Sequence, residues 1–134
     1  MKIAKELKEE IERFLYQYPN TEEYGGFLFS KKRGRTEKAS VCLYIPNCSD
    51  LSSCQFRFPN KAKQLAEKLA FAKRLTVLAM WHSHPKPYIM SVGDVTVAEN
   101  EDLIFLMISR KDEYGKTFVW YACKGIKPEE IDFV

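Results

Sequence analysis

The chain has 134 residues, 46% of them hydrophobic and 29% charged, with a formal net charge of +3. That length and balance point to a single domain over residues 1–134 with its own core, and the small charge gives no basis for expecting nucleic-acid binding. No apolar run approaches the roughly 20 residues that span a bilayer, and the N-terminus is a charged periodic pattern rather than a signal peptide, so a cytoplasmic protein without membrane contact is expected.

Ile3, Leu7, Ile11, Phe14, Leu15 and Tyr18 recur at helical spacing. The opposite face mixes acidic and basic residues, which predicts a core-facing helix over residues 2–18 rather than one lying on a membrane. Pro19-Asn20 ends it. An acidic pair, Glu22-Glu23, then leads through Tyr24 and the Gly25-Gly26 pair into Phe27-Leu28-Phe29, which reads as a strand with a permissive bend at its start. Lys31-Lys32-Arg33-Gly34-Arg35 is a basic turn, and residues 39–45 return as a hairpin partner stopped by Pro46.

Residues 47–55 form a polar loop, and Phe56-Arg57-Phe58 alternates as a short strand would. Asn60 is placed to cap a helix running to about Arg74, with Leu65, Ala66, Leu69 and Ala70 inward. Leu75 to Trp81 is a short continuous apolar run, the pattern of a buried strand. Leu103 to Ile108 is a second such run, and a charged turn around Gly115 folds Thr117 to Cys123 back on it. Residues 125–134 read as a short edge element. Strands interleaved with helices, and hairpins at both ends, predict an α/β domain built on a mixed sheet.

Four cysteines, Cys42, Cys48, Cys54 and Cys123, show no C-x-x-C pairing, so free thiols in a reducing compartment are expected. Cys48 and Cys54 flank the polar loop, a spacing also open to a bridge or a metal.

The chemistry concentrates after the first buried run, in Trp81-His82-Ser83-His84-Pro85 and Ser91-Val92-Gly93-Asp94. His82 and His84 are the two histidines of the chain. In an extended segment residues i and i+2 share a face, so both imidazoles project together from the end of a strand. With a carboxylate from a returning loop they make three ligands of a zinc site whose fourth position stays open to water. Ser91-x-x-Asp94 also fits a helix capping box, a device that would itself fix Asp94 in space as the third ligand. Hydrolysis at such a site needs a base and an oxyanion donor. Glu22 or Glu23 fits the first role and Ser91 the second. Neither H-e-x-x-h nor P-c-x-x-c, the marks of two other zinc enzyme classes, occurs in the chain.

An acidic residue ahead of Gly26-Phe27-Leu28-Phe29, then His82-Ser83-His84-Pro85, then Ser91-Val92-Gly93-Asp94, resembles the JAMM (MPN+) metalloprotease signature. The resemblance covers about residues 21–123. It implies the MPN (JAB/cytidine-deaminase-like) fold, a mixed β-sheet flanked by helices. It also implies one catalytic Zn2+ held by His82, His84 and Asp94, with Glu23 rather than Glu22 as general base and Ser91 as oxyanion stabiliser. The chain departs from the family pattern at Ser30, where a glycine is common, and in an interval from His84 to Asp94 that is one residue short. Lacking long insertions, it is similar to the compact prokaryotic members. The activity implied is cleavage of peptide or isopeptide bonds at the C-terminal Gly-Gly tail of a ubiquitin-like or sulfur-carrier protein. The alternatives are a non-catalytic protein-interaction module of the same fold, or a peptidase acting on cell-wall or phage-tail peptides.

Overall fold

The computed structural model describes residues 1–17, 23–31, 38–47, 58–59, 61–84, 102–111 and 117–134. The elements in chain order are β1 (Lys2–Ile3), α1 (Lys5–Gln17), β2 (Gly25–Ser30), β3 (Val41–Ile45), α2 (Ala62–Lys73), β4 (Thr76–His84), β5 (Ile104–Arg110), β6 (Phe118–Lys124), β7 (Lys127–Glu129) and β8 (Asp132–Phe133). Six strands form one sheet in the order β3-β2-β4-β5-β6-β7, and β1 pairs with β8 apart from it. β4 and β5 run parallel, while the other neighbours in the large sheet are antiparallel. The fold is therefore the α/β arrangement on a mixed sheet that the sequence pattern predicts. None of the described helices is long and apolar enough to cross a membrane.

Alternation along the strands sends side chains to two cores. On one face Leu28, Ala79, Trp81, Leu106, Ile108 and Ala122 pack under α1, which contributes Leu7, Ile11 and Leu15. On the other, Phe27, Phe29, Met80, Phe105 and Cys123 pack under α2. Each large apolar side chain buried in this way contributes about 1.5–3 kcal/mol. The last turn of α1 carries no basic residue. Buried Arg110, at the end of β5, reaches across and donates from Nη2 to the Leu15 carbonyl at 2.6 Å. That charge-assisted bond satisfies a C-terminal carbonyl of the helix and ties α1 to the sheet.

Three expectations need correction. Ile3 belongs to β1, paired with Phe133 of β8, and not to the first helix, which starts at Lys5. Its burial depends on that parallel pairing rather than on helical periodicity. Leu65 is 58% exposed, and the inward stripe of α2 is Ala62, Ala66 and Ala70 with Leu69 at its margin. Small residues at i, i+4 and i+8 let the helix approach the sheet closely, and Leu65 falls off that line. Lys61, in a left-handed conformation and with no side-chain cap, precedes α2; Asn60 lies outside the described residues. Phe58 is described outside any strand, its ring 5.3 Å from that of Phe27. The helix expected after Asp94 also falls outside the described residues.

Gly26 stands opposite Trp81 on one side and Tyr44 on the other. A Cβ at Gly26 would collide with the Leu43 carbonyl and come within 3.1 Å of the Trp81 indole nitrogen. Backbone cannot yield as a flexible side chain does. Gly26→Ala is expected to destabilise the protein by about 2 kcal/mol or more, whereas Leu65→Ala stays within about 0.5 kcal/mol. Urea unfolding of both variants checks the contrast.

Candidate metal centre

β4 does not stop before the histidines but runs through them, with Ile108 and Ser109 of β5 opposite Ser83 and His84. The β5 ladder holds this segment to its end and β2 pairs with it as far as His82, so period-2 alternation fixes where its side chains go. Trp81 belongs to the α1 core and Met80 to the α2 core, so His82 and His84 fall on the α2 side of the sheet. The His82 ring packs against Phe105 at 5.0 Å. The residue opposite His82 on β2 is Gly25, which puts no side chain in front of the imidazole.

Glu23 approaches from the segment that leads into β2. Tyr24 turns its ring to α1, edge-on to Phe14 at 5.3 Å. One residue earlier, Glu23 meets the histidines: its carboxylate Oε1 is 3.9 Å from His84 Nε2. The two Nε2 atoms of His82 and His84 are 2.8 Å apart. Ligand atoms from Glu23, His82 and His84 all lie within 4.8 Å of one another. The three residues are 2%, 2% and 5% exposed.

Two imidazole nitrogens at hydrogen-bond distance require that one carry a proton and the other offer a lone pair. A cation can take the place of that proton. Two nitrogens bound to one tetrahedral zinc at about 2.0–2.1 Å stand roughly 3.3 Å apart, so the rings need shift only a few tenths of an ångström. A buried carboxylate beside them is costly to desolvate unless it faces positive charge or donors. The donor set and its burial therefore fit a divalent metal, and imidazole with carboxylate suits several first-row ions.

Of the residues singled out from sequence, the structure brings Glu23, His82 and His84 together. Ser91 and Asp94, like Glu22, lie outside the described residues, and so do Cys48 and Cys54. Sequence reasoning passed over Ser83 and Asn47. The Ser83 hydroxyl accepts from the Tyr24 amide at 2.9 Å, and the Ser83 amide donates to the Tyr24 carbonyl at 2.7 Å. Asn47 Nδ2 donates to the Glu23 carbonyl at 3.3 Å. Ser83 lies inside the His-Ser-His run, where a period-2 reading shows it aimed at the opposite face. Asn47 gives no signal in sequence beyond its place after Pro46.

The described cysteines are Cys42 and Cys123, both free thiols. Burial pushes the Cys42 thiol from 9.0 up to about 12, with smaller opposing effects from Tyr44 and Trp81 hydrogen bonding. The folded protein thus holds the thiol protonated where the unfolded chain would ionise it. Its contribution to stability is intact below pH 9 and declines as pH rises toward 12. Iodoacetamide at pH 8 is expected to leave Cys42 unmodified until denaturant is added, as read by mass spectrometry. Replacing His82 or His84 by alanine is expected to weaken Zn2+ or Co2+ binding by more than the roughly 10- to 100-fold that loss of a supporting partner costs. Competition against a chromophoric chelator measures it.

Solved structures share the fold, among them three that match nearly the whole of this chain. A Desulfitobacterium hafniense protein determined in solution superposes with a TM-score of 0.79 at 22% identity, covering 99% of this chain and 92% of its own. A JAB1/MPN domain protein from Archaeoglobus fulgidus gives a TM-score of 0.65 at 16% identity over 100% of this chain and 97% of its own. A Salinibacter ruber protein gives 0.64 at 19%, over 100% and 90%. No curated protein matches significantly by sequence. The family model for prokaryotic homologs of the JAB domain matches residues 7–122, a span that includes Glu23, both histidines and all six strands of the large sheet but β7 and the end of β6. The chain belongs to that family, the prokaryotic homologs of the JAB domain.

Proposed function

We propose that this protein is a zinc-dependent hydrolase of peptide or isopeptide bonds. The observation that carries the proposal is the buried convergence of Glu23, His82 and His84 at one end of β4. In this reading His82, His84 and Asp94 hold the ion. When bound, zinc polarises the scissile carbonyl and lowers the pKa of water at the site to roughly 7. Glu23 takes a proton from the attacking water onto its carboxylate as the new carbon–oxygen bond forms. It then delivers that proton to the departing amine nitrogen as the carbon–nitrogen bond breaks. Ser91 donates to the oxygen that gains charge on the way. The 3.9 Å between Glu23 Oε1 and His84 Nε2 supports a base close to the ion.

The proposed substrate is an extended C-terminal tail ending in Gly-Gly, from a ubiquitin-like or sulfur-carrier protein in the cytoplasm. The family resemblance supports this choice. β3 supports the manner of binding, since among the described residues it has a strand neighbour on one side only, and sheet edges take up extended peptides by strand addition.

Zinc-loaded protein incubated with ubiquitin-like and sulfur-carrier fusions extended past Gly-Gly, and with cell-wall peptides, is expected to cut after the second glycine, as located by mass spectrometry. Glu23→Gln is expected to keep zinc and lose turnover by about 10²- to 10⁴-fold. If Glu23→Gln loses the metal instead, Glu23 is a ligand and not the base. If the wild type binds no metal, the domain is an interaction module of the JAB fold.

A further inference from the structure

The regular ladder between β2 and β4 ends with Gly25 opposite His82. One step further, Tyr24 faces Ser83. In an antiparallel pair that exchanges hydrogen bonds, each amide donates to the other residue's carbonyl. Here half of that exchange is kept: the Ser83 amide donates to the Tyr24 carbonyl at 2.7 Å. The other half is diverted, because the Tyr24 amide donates to the Ser83 side-chain hydroxyl at 2.9 Å. On the far flank, Asn47, two residues past the end of β3, binds the Glu23 carbonyl through its side-chain amide. Side chains thus replace the ladder on both sides at the point where the chain leaves the sheet and Glu23 reaches the imidazoles.

We propose that Ser83 is a positioning residue for Glu23: its hydroxyl ends the β2–β4 ladder and sets the carboxylate against the His82–His84 pair. The assignment rests on the hydrolase reading for its catalytic consequence, but the clamp is a structural statement that stands apart from turnover. Ser83 is 4% exposed and alternates to the α1 side of β4, so its hydroxyl acts through Tyr24 rather than on substrate.

The test compares Ser83→Ala, which removes the acceptor, with Ser83→Thr, which keeps it, in the zinc-loaded protein. Two NMR readouts need no substrate: hydrogen exchange of the Tyr24 amide, and the 13C shift of the Glu23 side-chain carboxyl. Ser83→Ala is expected to speed Tyr24 exchange by about five- to tenfold and to move the Glu23 resonance, while zinc affinity stays within about threefold because both histidines remain on β4. Ser83→Thr restores both signals. Where the wild type turns over a substrate, kcat of Ser83→Ala falls on the order of 10- to 100-fold with KM nearly unchanged. An unaltered Tyr24 exchange rate or Glu23 resonance in Ser83→Ala overturns the proposal. So does loss of zinc in step with those signals, which would make Ser83 a support of the histidine strand, and so does failure of threonine to restore them. Should the wild type cleave nothing, the hydrolase reading falls, and the two NMR signals alone decide the clamp. If Ser83→Ala does not fold, Asn47→Ala, which loosens the same segment from its other flank, is read in its place on the Glu23 resonance, with no movement overturning the proposal.

Discussion

Two imidazole nitrogens 2.8 Å apart in a buried place are the constraint around which this domain is arranged. Neighbouring rings on a free strand would turn away from each other and toward water. Here they cannot, because β4 is paired to β2 as far as His82 and to β5 from Ala79 through His84 and one face of it is closed by Phe105 and the α2 core. The sheet is thus less a scaffold carrying a site than the cause of the close approach. Burial raises the electrostatic stakes as well, since a carboxylate and two imidazoles out of water interact far more strongly than they would at the surface.

The two faces of the sheet do different work. Toward α1, an aromatic series joins helix to strands: Phe14 lies 4.3 Å from Tyr44 and 5.3 Å from Tyr24, and Tyr44 meets Trp81 edge-on at 5.7 Å. Rigid rings on that side fix the backbone of Tyr24 and Trp81. The neighbours of those two residues in the chain, Glu23 and His82, then have little choice of direction on the side toward α2. Precision at the polar site is in this sense inherited from packing on the opposite surface.

Most of the fold was legible because its strands are either continuous apolar runs or alternating ones, and both patterns survive into the structure at residues 76–84, 104–110 and 118–124. The histidine pair was legible for the same reason, since spacing of two on a strand leaves a single arrangement. What escaped was non-local. Ile3 reads as helical because it stands one turn before Leu7, and only its pairing with Phe133, far along the chain, makes it a strand residue. Leu65 reads as inward on hydrophobicity, but the sheet accepts the flat alanine stripe of α2 and leaves the larger side chain outside. Glu23 could be separated from Glu22 only by a family resemblance, because choosing between adjacent residues requires knowing which face each occupies. Ser83 was hidden by its neighbours: a hydroxyl between two candidate ligands draws no notice until its bond to Tyr24 is seen.

Which side of the sheet the imidazoles occupy is decided by a pair that never meets them. Trp81 lies across from Gly26, where even a methyl group would strike the Leu43 carbonyl. Slide β4 by a single residue in the direction that sets Trp81 against Phe27 and the indole meets another bulky ring, while both histidines swing toward α1. The mismatch in bulk between the largest and smallest amino acids thus acts as a key for strand alignment. Variation that preserves every polar group of the centre but fills the space at Gly26 would force β2 away from the β3 backbone right beside it.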